Sequence, residues 1–94
     1  MKINFEKFPC YIDIRKAAKV EMDVKYEFAN QMYIRGNGIA MGALAMKIYN
    51  SQGEEEYSDN ECAIIAEFAK ALSPVFAESV ADYLNVTRDN ASNN

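Results

Sequence analysis

Three groups of residues in this chain have the types and spacing that chemistry uses. The first is Gly36 to Gly42, GNGIAMG, whose glycines could let a backbone approach a phosphate. The second is acidic: Glu54, Glu55 and Glu56, then Asp59 and Glu61, the side chains that hold hard cations. The third is the pair of thiols, Cys10 and Cys62.

Each departs from the pattern its chemistry needs. A dinucleotide loop spaces its glycines as GxGxxG, straight after a strand and inside a βαβ unit. Here the third glycine is one place late, as GxGxxxG, and no GK[ST] follows. The residues before it read as helix, so GNGIAMG is expected to be a corner between two helices. Gly36 ends one, Gly38 begins the next, and Gly42 admits a close neighbour. A calcium loop alternates acids or amides around a central glycine and closes on glutamate. Gly53 instead precedes the acids, which predicts a solvated acidic loop, with Asp59 and Glu61 favouring a helix N-terminus. The cysteines lack CxxC spacing and are expected as small, partly buried thiols, with a disulfide or redox pair as the alternative.

The chain has no histidine. Ser-His-Asp and Cys-His nucleophile systems cannot be assembled from it, and the commonest zinc ligand is missing. None of the fourteen acids falls in an apolar motif that would mark an acid/base pair. No catalytic, metal-binding or cofactor-binding residue is therefore assigned, and a non-enzymatic protein is expected.

The elements that would position these groups follow from periodicity. Ile3, Phe5, Tyr11, Ile12 and Ile14 are β-branched or aromatic among polar residues, with Pro9 marking an edge or bulge. Val20, Met22, Val24, Tyr26 and Phe28 alternate with charged residues, the period of a half-buried strand. From Asp23, however, VKYEFANQMYIRG also reads as helix, stopped at Gly36. We expect strands near 2–6, 10–15 and 18–22 and a helix over 24–35, the two readings overlapping at Val24–Phe28. Ile39 to Tyr49 is apolar almost all round, which predicts a central helix packed on more than one side. Ser58-Asp59-Asn60-Glu61 matches a capping box and opens a helix carrying Ile64, Ile65, Phe68, Ala69 and Leu72. Ser73-Pro74 opens a last helix, expected to end near Asn85. The fold class is thus α+β: a short N-terminal antiparallel β-hairpin or meander packed on about four α-helices. Residues 1–86 form one domain, and 87–94 a disordered polar tail.

Charge is uneven along the chain. Residues 1–51 hold eight Lys/Arg and five Asp/Glu, +3; residues 52–94 hold two and nine, −7. Either this is an ordinary solvated surface, or it is a dipole that orients a partner or a second copy. The acidic half should avoid nucleic acid, and the Ser73-Pro74 helix pair is too acidic for a helix-turn-helix. Eleven aromatics are present, but basic residues adjoin them only at Lys25-Tyr26 and Tyr33-Ile34-Arg35, so core or interface roles are expected. MKINFEKFPC reads as neither signal peptide nor anchor, and no window is long and apolar enough to span a membrane. The expected location is the cytoplasm.

The segment from Asp23 to Glu61, with the helix pair around Ser73-Pro74, resembles small uncharacterised proteins encoded by bacteriophages and prophages. Ala29-Asn30, Leu44-Ala45 and Ile48-Tyr49-Asn50 carry the resemblance. These are packing motifs, and the resemblance implies no activity and no site residue. The reading is a non-enzymatic protein-interaction module, self-associating and of phage or mobile-element origin. Met32, Met41 and Met46 would supply adaptable apolar contacts on any face left open. The alternative is a nucleic-acid-associated accessory protein using the basic N-terminal half.

Overall fold

The computed structural model describes residues 1–92, with side chains described as far as Asn85. The elements run β1 (Lys2–Asn4), β2 (Phe8–Tyr11), β3 (Lys19–Met22), α1 (Lys25–Arg35), α2 (Gly38–Asn50), β4 (Glu54–Glu56), α3 (Asp59–Ala69) and α4 (Pro74–Ser92). This is the expected α+β fold, with four helices and two antiparallel sheets of two strands each. The N-terminal β segment nevertheless divides between the two sheets. β2 pairs with β3, but β1 pairs with β4, setting Ile3 opposite Glu55. Asn4 causes the division: its side-chain oxygen accepts the amides of Glu6 (2.9 Å) and Lys7 (3.2 Å), turning the chain out of β1.

Over Val24–Phe28 the helix wins. Val24 is the residue before α1, and its amide donates to the Phe5 carbonyl (2.9 Å), which ends the extended run. Helical spacing then buries Phe28, Ala29 and Met32 on one face, which a strand could not do. The capping box forms as its sequence requires. Ser58 Oγ accepts the Glu61 amide (3.1 Å), and Glu61 Oε1 accepts the Ser58 amide (2.8 Å). α4 runs past the expected stop near Asn85, to Ser92. The expected polar tail, 87–94, falls on side chains and terminal residues outside the described set.

The core is aromatic. Phe5, from the β1–β2 turn, lies 5.7 Å from the Phe8 ring, 5.5 Å from Phe28 and 5.8 Å from Tyr57. Phe28 reaches Phe68 on α3 (5.9 Å) and Phe76 on α4 (5.4 Å), and Phe8 reaches Tyr83 (5.0 Å). Ile3, Ile48, Ile65 and Val80 fill the space around these rings.

Three local expectations are corrected. α2 is not central. It packs chiefly against α1, burying Leu44, Ala45 and Ile48, while Ile39 is 91% exposed. Its small and aliphatic residues bring only one stripe to a core that the aromatic rings already occupy. β3 is not half-buried; all four of its residues are exposed. The glycines also differ. Gly36 ends α1 in an extended conformation (φ −71°), not a left-handed one. It must be glycine because a Cβ there would run into the Met32 carbonyl oxygen and lie 2.5 Å from Met41 Sδ. Gly42, expected at a close contact, faces open space, with nothing within 4 Å of an added Cβ. Gly38 alone in this corner has positive φ (84°).

These two glycines should therefore respond oppositely to alanine in denaturant titrations. Gly36→Ala forces backbone to shift and is expected to destabilise by about 1–3 kcal/mol. Gly42→Ala, inside a helix with free space, is expected to stabilise by about 0.5–1 kcal/mol.

Candidate interaction surface

Stacking α1 on α2 leaves a shared outer face. On α1, Tyr26, Asn30 and Tyr33 follow one another at i, i+4 and i+7, round the cylinder from the buried Phe28 and Met32. On α2, Ala45, Met46 and Tyr49 meet them. Together with Ala29 they line a cleft of about 170 Å³. The Tyr26 and Tyr49 rings meet edge to face at 6.2 Å. Tyr26, Tyr33, Met46 and Tyr49 are between 45% and 62% exposed. None of the seven lining residues is charged, in a chain that is 26% charged. The surface can pack apolar and aromatic groups, and its ionisable side chains are the three tyrosine phenols. Sequence reading placed these tyrosines among core or interface aromatics without separating the two. The separating signal is phase on the helix: Tyr26 and Tyr33 share a face that Phe28 and Met32 do not.

The groups first singled out for chemistry are placed otherwise. GNGIAMG is the α1–α2 corner, with Asn37 preceding α2. Glu54, Glu55 and Glu56 form β4. Asp59 lies in the first turn of α3, and Glu61 closes the capping box and takes Lys47 (3.0 Å). Among the described residues, no three His, Cys, Asp or Glu side chains converge to hold a metal ion. Cys10 and Cys62 are both buried, and burial pushes the Cys10 thiol up.

The charge asymmetry closes on itself in space. Lys16 pairs with Glu78 (2.6 Å) and Lys19 with Asp82, both across to α4. Lys25 bridges Glu6 (3.1 Å) and the Ser51 carbonyl (3.0 Å), and Glu6 also accepts the Gly53 amide (2.7 Å). The Gly53 amide, then Lys25, hold the Glu6 carboxyl below its ordinary range. The Ser58 amide does the same for Glu61, and Lys19 for Asp82. Depressed carboxyls stabilise the fold at neutral pH, and that contribution fades as pH falls through their folded values. Asp82 and Glu78 in turn hold Lys19 and Lys16 above the ordinary lysine range.

One buried polar group stands apart. Tyr57 is fully buried, and its hydroxyl finds no hydrogen bond of acceptable geometry. Ser51 lies close enough to oppose the shift, but the Ser51 hydroxyl is committed to the Ile48 carbonyl (2.6 Å). Burial dominates and pushes the phenol up to about 12. The Lys47 ammonium sits 4.7 Å from the Tyr57 ring centre, on its face.

No protein-family model, curated protein or solved structure matches the chain.

Tyr57 gives a prediction with a worked sign. A phenol raised in the folded state contributes stability that is present below its unfolded value, near 10, and is lost as pH climbs toward about 12. Denaturant titrations should show stability falling above pH 10, with a smaller fall in Tyr57→Phe. At neutral pH, Tyr57→Phe removes an unsatisfied hydroxyl and should match the wild type or exceed it by about 1 kcal/mol.

Proposed function

We propose that this chain is a non-enzymatic protein-interaction module that associates with further copies of itself through the α1–α2 face. One observation carries the reading: four large side chains, Tyr26, Tyr33, Met46 and Tyr49, stand open around a charge-free cleft. Tyrosine and methionine are enriched at interface centres, where charge is depleted. An uncharged face also meets its own copy without like-charge repulsion, as a two-fold contact requires. The exposed ion pairs elsewhere on the surface, such as Arg15–Asp13 and Lys70–Glu67, are suited to solvent. A cytoplasmic setting and a phage or mobile-element origin belong to this reading, the latter resting on the resemblance of Asp23 to Glu61. No helix of the described residues is long and apolar enough to cross a membrane.

Nothing in the geometry favours the nucleic-acid alternative. Five of the eight cations in residues 1–51 are engaged in ion pairs: Arg15, Lys16, Lys19, Lys25 and Lys47. Engaged cations have little left to offer a phosphate backbone.

Sedimentation at tens of micromolar tests the reading. The wild type is expected to run heavier than the 10.6 kDa chain. Tyr33→Glu combined with Tyr49→Glu, both at exposed positions, should weaken association by about tenfold or more while leaving the far-ultraviolet spectrum unchanged. A wild type that remains monomeric overturns the proposal.

A further inference from the structure

β3 is the second place where an apolar sequence pattern meets solvent. Val20 and Met22 are 46% and 48% exposed, although their cross-strand partners, Cys10 and Phe8, are buried. The β2–β3 sheet has only two strands, so each strand has one outer edge.

The two edges are treated differently. α4 lies along the edge of β2: the Tyr11 amide donates to Ser79 Oγ (2.9 Å), which donates in turn to the Val75 carbonyl (2.7 Å). That bond shows the Tyr11 amide pointing away from β3. In an antiparallel pair the outward and inward positions alternate, so Pro9 also faces outward. Proline there agrees, since it has no N–H to give the ladder. Lys19 and Glu21, opposite Tyr11 and Pro9, must then turn their own N–H and C=O groups away from β2. Outside the β2–β3 ladder, no backbone hydrogen bond from the described residues reaches these groups. The open edge of β3 thus presents the main chain of Lys19 and Glu21, with Val20 between them.

We propose that this edge pairs antiparallel with the same edge of a second copy, about a two-fold axis at Val20. Charge selects both the occupant and the register. With the axis at Val20, Lys19 of each copy faces Glu21 of the other, and these are the residues whose main chains can exchange bonds. On the opposite side of the ribbon, Val20 meets Val20 and Met22 meets Ala18, covering the apolar side chains that the core does not reach. Slipping the register by one residue, which moves the axis by half a residue, sets outward groups against inward ones. Shifting it to Lys19 or Glu21 sets like charges directly opposite, which is destabilising. Lys19 keeps Asp82 while gaining Glu21 of the second copy. A lysine on a short edge strand ordinarily discourages pairing; alternated with glutamate, it pairs correctly with its own copy. This contact is separate from the α1–α2 face and does not depend on it.

Amide hydrogen exchange by NMR tests the edge directly. The Val20 and Met22 amides, bonded to β2, should be protected at every concentration. The Lys19 and Glu21 amides should exchange fast in dilute protein and slow by about tenfold or more as concentration rises toward millimolar. Unchanged rates at both positions overturn the proposal. In the Tyr33→Glu/Tyr49→Glu chain the same concentration dependence is expected, so failure of the helical face and failure of the edge are read separately. Glu21→Pro, at an exposed position opposite Pro9, should abolish the concentration dependence at Lys19. Glu21→Lys should shift its midpoint about tenfold upward. Either variant behaving as wild type counts against the register.

Discussion

Phe5 is the residue on which the arrangement depends. It is fully buried, and it contributes from a turn, where the chain is free to aim a ring inward. One side chain there touches rings from β2, from α1 and from the residue after β4. Phe28 extends the cluster to α3 and α4. Large rings dominate burial in a chain this short, which can cover only about 60–65% of its unfolded surface. Elements that bring a ring to the cluster, or adjoin one, are drawn in. Two elements do neither. α2 carries a single aromatic, Tyr49, which meets Tyr26 at the surface, and β3 carries no aromatic at all. Both keep apolar residues exposed, Ile39 and Met46 on α2 and Val20 and Met22 on β3.

Polar contacts fix where those outer elements sit. Glu6 and Lys25 together tie the β1–β2 turn, the start of α1 and the loop after α2. Lys47 ties α2 to the capping box of α3. Lys16 and Lys19 tie the β2–β3 ribbon to α4, and Ser79 covers one edge of that ribbon and leaves the other. Exposed ion pairs of this kind contribute little stability singly. Their effect is orientation: α2 and β3 are held against the core on one side and presented on the other.

The two presented surfaces differ in chemistry. The α1–α2 face offers side chains, aromatic and uncharged, and recognition there depends on shape. The β3 edge offers main chain, and recognition there depends on register and alternating charge. The two proposed contacts do not compete for the same residues.

Local chemistry was legible in the sequence. The capping box at Ser58–Glu61, the Ser73-Pro74 start of α4, the helical corner at Gly36–Gly38 and the α+β class all follow from neighbours in the chain, because caps, turns and periodicity are short-range. Partnership was not. That β1 would take β4, that Phe5 would seat the cluster, and that Gly36 is required by Met32 and Met41 rather than by a left-handed turn are decided by residues distant in sequence or by atoms meeting across a corner. The same limit explains the two misplaced elements. Ile39–Tyr49 and Val20–Met22 have the patterns of buried segments, and pattern registers only that a face is apolar. Which apolar faces one copy can cover is set by the volume of its core, and that volume is settled only when all the elements have packed.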